Sequence, residues 1–141
     1  MRYAADRRPR GSRPGRRAGG VAALREGAAE REAMRAAFES RSQLVVEGLR
    51  AIPGLECAMP QGAFYAFPSL GAYLGKTEPT TGRRIDSGDD LAELLLELDR
   101  VSFIGGGAFG KPDAFRLSFA ASEEVLREAL RRIAARLATL S

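Results

Sequence analysis

The chain has 141 residues, 45% hydrophobic and 28% charged, with 22 Lys+Arg against 18 Asp+Glu and a net charge of +4. That length and balance suit one soluble globular domain with its own core, and no apolar stretch is long enough to cross a bilayer. With no histidine and one cysteine, Cys57, the sequence excludes an internal disulfide and catalysis of the Ser-His-Asp or Cys-His type, and gives no basis for a zinc or haem site.

The charge is uneven. Residues 1–17 hold seven arginines and one aspartate; this local +6, set against the overall +4, leaves −2 for the rest. Residues 1–20 are rich in Arg, Gly and Pro and cannot bury enough surface to offset chain entropy, so a disordered tail is predicted, followed by a folded body over 21–141. The tail lacks the apolar run of a secretory signal, and its prolines and glycines argue against a transit-peptide helix. Clustered arginine attracts phosphate, which makes an arginine-tailed nucleic-acid binder an alternative reading. Only Tyr3 is interleaved among the arginines, so nucleic acid is not the expected partner. An extension from a wrong start or a broken gene accounts for the segment equally well.

A helix is predicted from about Val21 to Ile52, its apolar stripe running through Met34, Phe38, Val45, Leu49 and Ile52 and widened by Ala37 and Leu44. Gly27 is a point of interruption, and Pro53-Gly54 stops the helix. Strands are predicted at 55–59 and 63–67, separated by Pro60-Gln61-Gly62. Gly71 to Asp86 is polar and reads as an exposed loop. Ser87 is the expected N-cap of the next helix, with Asp90 at the capping-box position and Leu91, Leu94, Leu95 and Leu98 as the buried face. Strands follow at 101–104 and 114–120. Ser122 caps a last helix with Glu123 and Glu124 near its positive end and a stripe of Leu126, Leu130, Ile133, Leu137 and Leu140. The fold class expected is α+β: helices packed on a small mixed sheet of about four strands.

The segment Ala114-Phe115-Arg116-Leu117-Ser118-Phe119-Ala120 carries the chemistry. Side chains alternate along a strand, so Phe115, Leu117 and Phe119 point into a core while Arg116 shares the other face with small residues. An arginine so placed is either an exposed or ion-paired edge charge, or a rigid fork for a planar carboxylate. Other constellations are weaker. Gly105, Gly107 and Gly110 match G-x-G-x-x-G, but a strand follows rather than a helix, which rules against a dinucleotide site. Asp90, Glu93 and Glu97 read as the solvated face of a helix rather than an acid–base pair. Ser118 shares the face of Arg116 but has no base partner.

The order Pro60-Gln61-Gly62-Ala63-Phe64-Tyr65, a helix, Val101 to Gly110 with its glycine-rich turn, then Phe115-Arg116-Leu117-Ser118-Phe119-Ala120 resembles the C-terminal small domain of the class I/II aminotransferases of fold type I. One departure is Gly105, where the family usually has proline. The resemblance implies a pyridoxal-phosphate enzyme that moves an amino group from an amino acid to a 2-oxo acid, with Arg116 binding the substrate α-carboxylate. It also implies a cytoplasmic homodimer. Neither Lys76 nor Lys111 lies in a stretch like that of the family's Schiff-base lysine, and the pyridine-nitrogen aspartate and phosphate cup are unmatched. The expectation is therefore a chain without the large domain, with no catalytic residue, no cofactor-binding residue and no metal site of its own, and inactive alone. Pyridoxal 5'-phosphate is expected only in the complete enzyme. A non-catalytic binding or regulatory module built on that fold is the other alternative.

Overall fold

The computed structural model describes residues 27–141, so the arginine-rich tail lies outside the described residues. Helix α1 spans Ala28–Arg50 and begins directly after Gly27. Then come β1 (Tyr65–Ala66), a 3-10 turn (Gly71–Tyr73), α2 (Gly88–Asp99), β2 (Ile104–Gly105), a second 3-10 turn (Gly106–Phe109), β3 (Phe115–Ser118) and α3 (Glu123–Thr139). The described residues divide into two compact units, 27–36 and Ala37–Ser141. The second holds the sheet, α2, α3 and the buried part of α1.

The fold is α+β, as expected. The sheet has three strands in the order β1-β3-β2, and both pairings are antiparallel rather than mixed. The expected first strand at 55–59 contracts to a single bridge, Glu56 to Ser69. Backbone groups there turn elsewhere: Arg50 Nε donates to the Cys57 carbonyl at 2.8 Å, and the short span between two prolines leaves no room for a ladder.

Register sorts the side chains. Tyr65 pairs with Ser118 and Ile104 with Arg116, so these four share one face. Ala66, Leu117, Phe115 and Gly105 share the other, and all four are buried. The helices cover that second face. Val45, Val46 and Leu49 of α1, Leu91, Leu94 and Leu95 of α2, and Leu126, Leu130, Ile133 and Leu137 of α3 complete the core. Fully burying a side chain of this size stabilises by about 1.5–3 kcal/mol. Gly48 allows α1 to meet α3 closely: a Cβ there would lie 2.6 Å from Leu130 Cδ1.

Both predicted caps form. Ser87 Oγ accepts from the Asp90 N–H at 3.2 Å, and Asp90 Oδ2 accepts from the Ser87 hydroxyl at 2.8 Å and the Asp86 N–H at 3.0 Å. Ser122 Oγ accepts from the Val125 N–H at 3.4 Å. Two apolar stripes are shorter than expected. Met34 is 60% exposed, and burial on α1 starts at Phe38 and includes Ser42. Leu98 is 41% exposed, because α2 ends one residue later at Asp99, with Arg100 in the left-handed conformation at φ 57°. The α3 stripe is buried throughout, Leu140 included.

The 71–86 segment is not simply an exposed loop. Tyr73, Glu78 and Ile85 are buried within it. The Tyr73 hydroxyl donates to the Pro53 carbonyl. Glu78 Oε2 accepts from both the N–H and the hydroxyl of Thr81 at 2.7 Å, and Glu78 Oε1 accepts from Arg136 Nη1 at 3.1 Å. Arg136 also forks onto Asp99, at 2.8 and 3.1 Å. A loop rich in polar residues thus builds its own interior, because its one buried acid finds donors nearby and a cation on α3.

The Thr81 side chain, with further donors from Thr80 and Thr81, holds the Glu78 carboxyl at about 2, below its ordinary 4.5. A lowered folded-state value makes this contribution complete above about 4.5, and it is lost as pH falls from there towards 2. Glu78→Gln is therefore expected to be less stable than the parent at neutral pH, with the gap closing between pH 4.5 and 2. Urea unfolding at stepped pH measures this. A gap constant across that window would show that the stabilisation by Glu78 does not depend on its ionisation.

Candidate functional site: the Arg116 face of the sheet

Arg116 lies on the central strand, hydrogen-bonded to a neighbour on each side, so its backbone is fixed more firmly than on an edge. Phe115, Leu117 and Phe119 alternate with it and are at most 4% exposed, which locks the strand's facing. Arg116 itself is half-buried. Among the described residues its guanidinium makes no ion pair and no hydrogen bond. Instead it lies 5.2 Å from the ring centre of Tyr65 and 5.0 Å from that of Phe109. The small same-face residues thus do not leave Arg116 alone in a cleared space. Two rings border it, Tyr65 delivered by β1 and Phe109 by the turn after β2.

The glycine-rich turn explains how Phe109 arrives there. Gly106 packs so tightly that a Cβ would lie 1.9 Å from the Lys111 carbonyl oxygen and 2.6 Å from that of Ala114. Its N–H donates to Ala114 O at 2.8 Å, joining the turn to the entrance of β3. Gly110 closes the turn with φ 71°, a left-handed value that favours glycine. Gly105 has φ −60°, a value open to proline, but an added Cβ would lie 2.1 Å from Asp89 Oδ1, so Asp89 packs here where a larger residue would stand. A 3-10 turn and a strand follow these glycines, not an α-helix, as the sequence context indicated.

The remaining residues of interest fall elsewhere. Ser118 shares the face but commits its hydroxyl locally, donating to Phe64 O at 3.5 Å and accepting from the Ala120 N–H at 3.3 Å. Glu93 and Glu97 are exposed and both bind Arg83, at 3.1 and 2.6 Å, as a solvated helix face should. Lys76 Nζ donates to the Leu140 carbonyl at 3.4 Å and lies over the Tyr73 ring, while Lys111 is exposed in the turn before β3. Exposed apolar side chains lie beside the arginine: Phe109 is 47% exposed and Ile104, its cross-strand partner, 44%. The Tyr65–Arg116 contact had no local sequence signal. It arises because register sets Tyr65 opposite Ser118, one step along the face from Arg116.

The small α+β lobe thus presents a half-buried cation on its central strand, bordered by two rings and, among the described residues, paired with no acid. The chain belongs to the aminotransferase class I and II family, whose model matches residues 12–133. It is 49% identical over 98 residues to an aspartate aminotransferase of Rhizobium meliloti (strain 1021), covering 70% of this chain and 24% of that one. It is 46% identical over 96 residues to a probable aspartate/prephenate aminotransferase of Rhizobium leguminosarum bv. phaseoli, covering 68% and 24%. The crystal structure of the Rhizobium meliloti aspartate aminotransferase superposes with a TM-score of 0.71 at 48% identity, over 74% of this chain and 26% of that one. The chain thus spans about a quarter of the length of the curated relatives it matches.

Proposed function

We propose that this chain forms the carboxylate-binding lobe of a pyridoxal-phosphate aminotransferase acting on an amino acid and a 2-oxo acid, and that Arg116 receives the substrate α-carboxylate. The observation that carries the reading is the uncommitted guanidinium on the central strand. Its paired N–H donors match the two oxygens of a carboxylate, and binding there displaces no salt bridge among the described residues. Two-point contact fixes the plane of the carboxylate and so the direction of the bonds at Cα, which is the positioning an amino-transfer reaction needs.

This reading assigns no cofactor contact to the two described lysines. Lys76 is engaged at the end of α3, and Lys111 stands exposed in a turn. The contribution of these residues is therefore binding and orientation, and the chain alone is expected to be inactive. Grafting residues 37–141 in place of the matching segment of the Rhizobium meliloti enzyme tests the reading. The graft should transaminate, and Arg116→Ala should abolish turnover with every amino donor. A graft that folds and binds the cofactor but does not turn over with Arg116 intact would favour the non-catalytic module.

A further inference from the structure

We propose that Tyr65 and Phe109 are positioning residues: their rings clamp the Arg116 guanidinium in its binding orientation before any carboxylate arrives. The inference rests on the reading of Arg116 as a carboxylate receptor, and deepens it.

An arginine has four side-chain torsions, and a strand fixes none of those beyond the Cβ direction. Something else must hold the head, or each binding event carries the cost of ordering it. An acidic partner would hold it, but would also occupy the donors a substrate needs. Among the described residues Arg116 has no such partner. An aromatic face attracts a cation without taking a carboxylate's place on the donor fork. Two rings do this here, at 5.2 and 5.0 Å. One is delivered by β1 and the other by the turn that follows β2.

Each ring has a second ring behind it. Phe64 meets Tyr65 edge-on at 6.0 Å and 86°, and Phe67 meets Phe109 at 5.8 Å and 88°. Phe67 directly follows β1, so Phe109, carried by the turn after β2, also packs against the β1 segment. This arrangement also accounts for half-exposed aromatics beside a lone cation. Their faces serve the guanidinium rather than the core.

The test uses the full chain labelled with 15N and follows the Arg116 side-chain Nε–Hε resonance, with sodium pyruvate as the carboxylate probe and sodium chloride at equal ionic strength as control. In the parent, that resonance should be displaced by ring currents and should shift on adding pyruvate. Phe109→Leu and Tyr65→Leu should each return it towards the position of a free arginine, and together should weaken pyruvate binding by about tenfold. Phe109→Tyr, which keeps a ring, should restore both. Backbone amide spectra that change only near the sheet face separate this from unfolding.

An Arg116 resonance unaltered by Phe109→Leu and Tyr65→Leu would overturn the clamp. So would variants that move the resonance but bind pyruvate as tightly as the parent. A ring-shifted resonance in the parent that ignores pyruvate would leave the rings holding the arginine while refuting its assignment as the carboxylate receptor.

Discussion

Arg116→Lys is expected to lower kcat/KM by a factor corresponding to roughly 2–4 kcal/mol in the grafted enzyme, with little change in thermal stability. The two expectations have one origin. Arg116 pairs with no acid among the described residues, so shortening its reach strands no buried charge in the free protein. In the proposed role its value is expressed when a carboxylate binds, and a lysine ammonium offers one point of attraction where the guanidinium offers a matched pair of donors. Every amino-acid substrate shares the α-carboxylate, so the loss should be similar for acidic, aromatic and aliphatic donors. Steady-state kinetics across such a panel, with a melting curve for each protein, measures both. A loss confined to one side-chain class would relocate Arg116 to side-chain recognition. A collapse in stability would make it a structural residue.

The second large effect is on folding. Gly106→Ala should destabilise by about 3 kcal/mol, lowering Tm by roughly 10–20 °C. The added carbon would fall 1.9 Å from one carbonyl oxygen and 2.6 Å from another, and both oxygens are fixed by hydrogen bonds. Gly88→Ala at the start of α2 should behave alike, since its Cβ would lie 1.9 Å from the same Ala114 oxygen. Backbone must move in either case, and the backbone that moves leads directly into Arg116. Carboxylate binding should therefore weaken even where the variant still folds. Gly62→Ala is the control: nothing lies within 4 Å of its added carbon, so its stability should stay within about 0.5 kcal/mol of the parent. Equal melting temperatures for Gly106→Ala and Gly62→Ala would show that the turn is pliable.

These two predictions draw on different levels of information. Arg116 is visible in the sequence, because an isolated charge in a run of alternating apolar residues can face only one way. The same alternation placed Phe115, Leu117 and Phe119 in the core, where the structure has them. The caps Ser87 and Ser122 and the α3 stripe were equally legible, since each depends on residues within four positions of one another. The family's motifs could be read for a related reason: they are short local patterns in a fixed order, and the match over residues 12–133 accords with them.

Other features depended on contacts far apart in the chain. The first predicted strand shrank to a bridge because its backbone was claimed by Arg50 and Ser69. Glu78 sits in a stretch with every mark of an exposed loop, and its burial rests on Thr81 beside it together with Arg136, 58 residues later. Leu98 had the correct spacing for burial, but the helix ended before a neighbour could cover it. The aromatic borders of Arg116 are the clearest case. Tyr65 is 51 residues from the arginine and joins it through strand register, while Phe109 joins it through a turn shaped by backbone contacts at Gly106. Local pattern thus determined the helices and their caps, the facing of β3 and the identity of the charged residue. Tertiary structure decided what stands beside that residue, because register and close packing are set by the whole core and leave no trace in the short range of the chain.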